Sequence, residues 1–152
     1  MKIQGKGYIK NGDIETNFRN HFVTFGLNTL ANVFVGAWFN ENFVENVGNY
    51  ADSMYFNTIN VGTNQSTPTI FTTGSLNAPV SNLINPTQTL TVLSYNGSQA
   101  VLIIIDQYPI SALPQITIGE IGLYGGLYNT NGLMSRASVA DGDFSAFAYN
   151  PA

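Results

Sequence analysis

Apolar residues along this chain follow two rhythms. Between residues 18 and 38, Phe18, Phe22, Phe25, Leu27, Leu30, Ala31, Phe34 and Trp38 recur at intervals of mostly three and four. That spacing predicts an amphipathic helix. Thr16 or Asn17 stands where its N-cap belongs, and Gly36 marks a possible early end. Gly26 lies inside the stripe, where glycine costs about 1 kcal/mol against alanine. A kink or a close helix–sheet contact is expected there.

Elsewhere the rhythm is two, punctuated by turn signals. GYIK-NG-DIET makes residues 2–16 a hairpin, with Asn11-Gly12 suited to a type I′ turn. Residues 54–61 carry Tyr55, Phe56, Ile59 and Val61 and read as a strand. Residues 90–95 and 98–107 flank Asn96-Gly97, so a two-residue closure sets Val92 opposite Val101 and Leu90 opposite Ile103. Residues 116–124 and 133–140 form a third hairpin around 125–132. In it Ile121 and Leu123 point to one side of their strand and Ile116 and Ile118 to the other. Residues 144–149 alternate Phe, Ala, Phe, Ala, Tyr and read as a last strand.

Two stretches have no rhythm. Residues 40–53 are polar, Asn-rich and read as a loop. Residues 63–89 are rich in Thr, Asn, Ser and Pro, including Pro68, Pro79 and Pro86. So long a connection predicts an arm that lies on a neighbour, outside the domain's own core. Phe71, Leu76, Val80, Leu83 and Ile84 tie part of it down. Seven or eight strands and one helix give a mainly β fold. The regular hairpins favour an antiparallel β-sandwich, jelly-roll-like, with one N-terminal amphipathic helix, a single domain over residues 1–152.

Composition changes the picture of the surface. Hydrophobic residues make up 44% and aromatics 12%, enough for a real core. Charged residues are 9%, against about 25% in an ordinary soluble protein. Asn is the commonest residue, so the surface is largely neutral and polar, which promotes association. Net charge is −4. Lys2, Lys6 and Lys10 are too few for phosphate neutralisation and read as a solvated strand, so no nucleic-acid partner is expected. No cysteine offers a thiolate or disulfide. MKIQGKGYIK has no apolar run of signal-peptide type, and the aliphatic run 101–105 is far short of a bilayer span.

Chemistry-bearing residues are sparse. Asp106 and Glu120 sit amid apolar strand residues as paired-carboxylate candidates. A strand-end Asp and a Glu paired to Arg136 explain them better. Asp141-Gly142-Asp143 offers two oxygens to calcium, yet Asp-Gly is above all a turn signal. His21 is the only histidine, and a Ser-His-acid triad would depend on it. A capping or packing role fits it better. Asn64-Gln65-Ser66 and Asn96-Gly97-Ser98 match the glycosylation sequon, a match an Asn-rich chain makes by chance. No catalytic, cofactor-binding or metal-binding residue is assigned, and no cofactor is expected.

Three spaced phrases carry a resemblance. They are GLNTLA at 26–31 on the helix, INVGTNQSTPT at 59–69, and ITIGEIGLYGG at 116–126 followed by NGLMSRASV at 131–139. In that order they resemble small structural modules of the tails, baseplates and fibre bases of tailed viruses. The loop at 40–53 and the low charge depart from that pattern, and a virion of an archaeal host would suit the Asn-, Ile- and Tyr-rich composition. The resemblance implies a non-enzymatic virion structural protein of a tail, baseplate, collar or spike. Its partners would be copies of itself and other virion proteins, with a host receptor or glycan as a further candidate. A receptor- or carbohydrate-binding β-sandwich module is the first rival, and a glycosidase or peptidase accessory the second.

Overall fold

Nine strands and one helix make up the described residues, which are 5–40, 54–81, 86–93, 101–109, 113–127 and 130–150 of a computed structural model. In chain order they are β1 (Gly5–Asn11), β2 (Ile14–Phe22), α1 (Thr24–Asn40), β3 (Met54–Gly62), β4 (Thr87–Leu93), β5 (Val101–Gln107), β6 (Ile116–Ile118), β7 (Glu120–Leu127), β8 (Gly132–Ser138) and β9 (Phe147–Tyr149). The fold is mainly β. All strand pairs are antiparallel: a curled five-stranded sheet in the order β1-β2-β8-β7-β3, and two-stranded sheets β4-β5 and β6-β9.

The helix begins later than its sequence stripe. Residues 18–22 belong to β2, where half-buried Phe18 and Phe22 alternate with exposed Asn17, Arg19 and His21. A spacing of four satisfies both a helical and a two-residue period, so these two rings extended the stripe falsely. The Phe18 ring instead meets Phe144 edge-on at 6.3 Å. Strand β2 runs through buried Val23 into α1, so Thr16 and Asn17 cap nothing. The first helical amide, Thr24 N–H, donates to the Phe71 carbonyl at 2.7 Å. Gly36 does not end the helix.

Three registers also move. The first turn centres on Gly12-Asp13, between paired Asn11 and Ile14, with Gly12 at φ 59°. In β4-β5, Leu90 faces Ile104 and Val92 faces Leu102, one residue from the expected pairing. Residues 94–100, with Asn96-Gly97, lie outside the described residues, as do 41–53. The third hairpin splits at Gly119: β7 pairs with β8, whereas β6 leaves to pair with β9. Ile116 and Ile118 therefore share no strand with Ile121 and Leu123. The two-faced apolar sheet expected from them is not formed.

The main core lies where β6-β9 packs on the five-stranded sheet. It joins Ile118, Phe147 and Tyr149 to Val61, Ile121, Ala137 and Phe144. Strand β8 is the most enclosed element, buried at every position from Leu133 to Ser138. A second cluster, Val23, Leu76 and Leu133, lies beside Tyr124. Leu76 comes from the connection between β3 and β4. The expectation that residues 63–89 stand outside the domain's own core is thus corrected over 63–81.

Candidate interaction site

The second and third of the three phrases meet at one place. Glu120 opens β7 and Arg136 sits on β8, where Arg136 faces Gly122 and Glu120 faces Ser138. The two charged residues are therefore diagonal neighbours on one sheet face. The guanidinium reaches Glu120 Oε2 through Nη2 at 2.8 Å and Nε at 3.1 Å. Both side chains are fully buried. Gly62 at the end of β3 faces Glu120, and a Cβ there would come within 2.3 Å of the carboxylate. The Val-Gly-Thr turn of the second phrase needs its glycine for this close approach.

The remaining valences of the pair go to the 63–81 segment. Glu120 accepts backbone N–H bonds from Asn77 at 3.0 Å and Ala78 at 2.6 Å. Arg136 donates to the Thr67 carbonyl at 3.1 Å and to Thr69 Oγ1 at 2.6 Å. A buried ion pair needs such extra partners, because desolvation offsets most of its Coulomb gain. Asp141 completes the fastening. It accepts the Thr69 N–H on both oxygens at 3.1 Å and the Ser138 hydroxyl at 2.7 Å. Its Oδ2 lies 4.0 Å from Arg136. Burial pushes the Asp141 pKa up, but bonds from Thr69 and Ser138 and the Arg136 charge outweigh this and hold it below the ordinary value.

The same segment closes on itself and on its neighbours. Asn64 Oδ1 accepts from Ser66 N–H and Thr67 N–H, an Asx turn. Thr63 N–H and Val80 N–H bond across to Ala78 and Val61. Ile70 and Thr73 form a turn joined by Thr73 N–H to the Ile70 carbonyl and Ile70 N–H to Thr73 Oγ1. At the tip of this held turn, Ile70 is 64% and Phe71 73% exposed. Phe71, expected to help tie the segment down, does so only through its carbonyl. Leu27, one helical turn beyond Thr24, is also exposed. No Asp, Glu, Lys, Arg or His occurs from Ser53 to Ile105, so the tip lies in a wholly uncharged stretch.

The other chemical candidates are committed elsewhere. Asp106 accepts Thr58 Oγ1–H at 3.0 Å, Ile59 N–H at 2.5 Å and Gln88 Nε2–H at 2.7 Å. Tyr108 donates to the Ile59 carbonyl at 2.5 Å. Burial raises the Tyr108 pKa, a hydrogen bond with Thr58 lowers it, and the Asp106 charge adds to the rise. These groups satisfy the outer edge of β3. Asp106 and Glu120 serve separate donors and form no acid pair. His21 Nε2 lies 2.7 Å from Asp143 Oδ1, and Asp143 Oδ2 accepts Ser138 N–H. Asp141 and Asp143 thus fasten the turn after β8. Among the described residues no group of three or more His, Cys, Asp or Glu is placed to hold a metal ion. No helix among them is long and apolar enough to cross a membrane.

The Glu120–Arg136 pair was legible in the sequence. Thr67, Thr69 and Asp141 were missed as its partners, because their spacing along the chain carries no periodic signal. No protein-family model, curated protein or solved structure matches this chain.

Proposed function

We propose that this chain is a non-enzymatic structural subunit of a virus particle, part of a tail, baseplate, collar or spike. It works by binding copies of itself and neighbouring virion proteins. It is assembled in the host cytoplasm and leaves the cell within the particle. The observation that carries the assembly reading is the 70–71 turn. Buried Arg136, with Asp141, holds Thr67 and Thr69 just before it, while its two large apolar side chains face solvent. Burying such side chains contributes about 1.5–3 kcal/mol each, and a turn already fixed loses little further entropy on docking. The occupant is another copy, because the tip stands in an uncharged stretch of a weakly charged protein that offers little repulsion between copies. The viral setting rests on the ordered phrases, of which the second and third meet around Glu120 and Arg136. The two layers over Val61, Ile121 and Ala137 are read as a jelly-roll-like β-sandwich.

Mass spectrometry of purified particles from the organism that encodes the chain tests the viral half. The chain is expected at a stoichiometry of several copies per particle. Its confinement to the particle-free fraction would contradict the reading. A receptor- or carbohydrate-binding module is the second reading, favoured by the outward face of the β1-β2 hairpin.

A further inference from the structure

Among the described residues the exposed Lys and Arg side chains lie on one face. Among the described residues the basic side chains are Lys6, Lys10, Arg19 and Arg136, and Arg136 is buried in its ion pair. The other three lie on the outward face of the β1-β2 hairpin. The register sets three rows across it: Lys6 opposite Arg19, Tyr8 opposite Asn17, and Lys10 opposite Glu15. All six residues are exposed. The inward face is already used, with Ile9 and Phe18 packed on the core.

One row works against the hairpin's own stability. Like charges directly opposite each other on a sheet destabilise it. Neither Lys6 nor Arg19 has an ion-pair partner among the described residues. Lysines on an edge strand guard against edge-to-edge pairing, which accounts for Lys6 and Lys10 on β1. It does not account for Arg19 across from Lys6, nor for Tyr8, half exposed between the two lysines. A chain with five basic residues has set two of them face to face.

We propose that this face binds a carboxylated sugar, through Lys6, Tyr8, Asn17 and Arg19. The Lys6–Arg19 row takes the carboxylate, with Arg19 offering a planar fork of donors. The Tyr8 ring, two residues or about 7 Å along the strand, takes the apolar face of the pyranose. Asn17 bonds a hydroxyl with either end of its amide. The Lys10–Glu15 row is neutral in sum and suits the hydroxyls of the next sugar. Glu15 also argues against a polyphosphate, which needs like-signed contacts along its length. The proposal is independent of the assembly reading, since neither Ile70 nor Phe71 contributes to it.

The test uses the full chain and beads bearing sialyllactose or an oligoglucuronate, which separate a terminal from a backbone carboxylated sugar. Lactose and maltose beads are the neutral controls, and a single-stranded oligonucleotide is a further arm. Retention is expected on at least one acidic arm, tenfold or more above its neutral control. Arg19→Gln and Tyr8→Ala should each abolish that difference with an unchanged circular-dichroism spectrum. Asn17→Ala should weaken it severalfold. Equal retention on acidic and neutral beads, or tighter binding to the oligonucleotide than to either acidic sugar, would overturn the proposal. So would no retention on any arm.

Discussion

Arg136 and Glu120 are diagonal neighbours on adjacent strands, fully buried, and meet at 2.8 Å. Removing one partner leaves an uncompensated charge in the core. Arg136→Met is expected to cost about 3–5 kcal/mol. The double variant with Glu120→Gln should cost less than the sum of the two singles by about 1–3 kcal/mol. Urea unfolding of the four proteins measures this. Additive losses would show that the residues do not depend on each other.

Gly26 sets two effects against each other. Alanine there would gain about 1 kcal/mol of helix propensity. Its Cβ would also stand 2.1 Å from the Met134 carbonyl oxygen of β8. That atom is backbone in an enclosed strand, so no side chain can swing away. Gly26→Ala should destabilise by about 1–3 kcal/mol, read as a lower thermal midpoint. A higher midpoint would mean that helix and sheet are not in close contact.

Asp141 gives the fastening a pH dependence. Its folded pKa is lowered, so its contribution is fully present above the unfolded value of about 3.9. It is lost as pH falls through the lower folded value. Protonation removes the negative charge that strengthens the bonds from Thr69 N–H and the Ser138 hydroxyl. Amide exchange at Thr69, corrected for intrinsic pH effects, should lose protection over that acid window. Asp141→Asn should show lower protection at neutral pH and no such window. Identical acid profiles in both proteins would remove Asp141 from the fastening.

What the sequence made legible follows from how each signal is encoded. Strand pairs β1-β2 and β7-β8 and the Glu120–Arg136 pair lie within local hairpins, where turn residues and alternation nearly fix the register. The start of α1 was missed because Phe18 and Phe22, four residues apart, suit both periods until the partners of β2 are known. The split at Gly119 was missed because Ile116, Ile118, Ile121 and Leu123 form one apolar run, and only the pairing with β9 divides it. The 63–81 segment looked detached because its anchors are Thr hydroxyls, backbone amides and carboxylates, which carry no hydrophobic rhythm. Phe71 could not be told from Leu76 by sequence: both are large apolar residues in one irregular segment, and only the folded turn exposes one and buries the other.

The exposed tip at Ile70 and Phe71, held by Arg136 and Asp141, is the centre of the assembly account. Light scattering of the purified chain against its Ile70→Ser/Phe71→Ser variant measures it most directly. The unaltered chain should show a mass above that of one copy, rising with concentration. The variant should fall to the mass of one copy with a thermal unfolding midpoint no lower than that of the unaltered chain's monomer. A single-copy mass for the unaltered chain at high concentration, or the same oligomer in the variant, would contradict assembly through this turn.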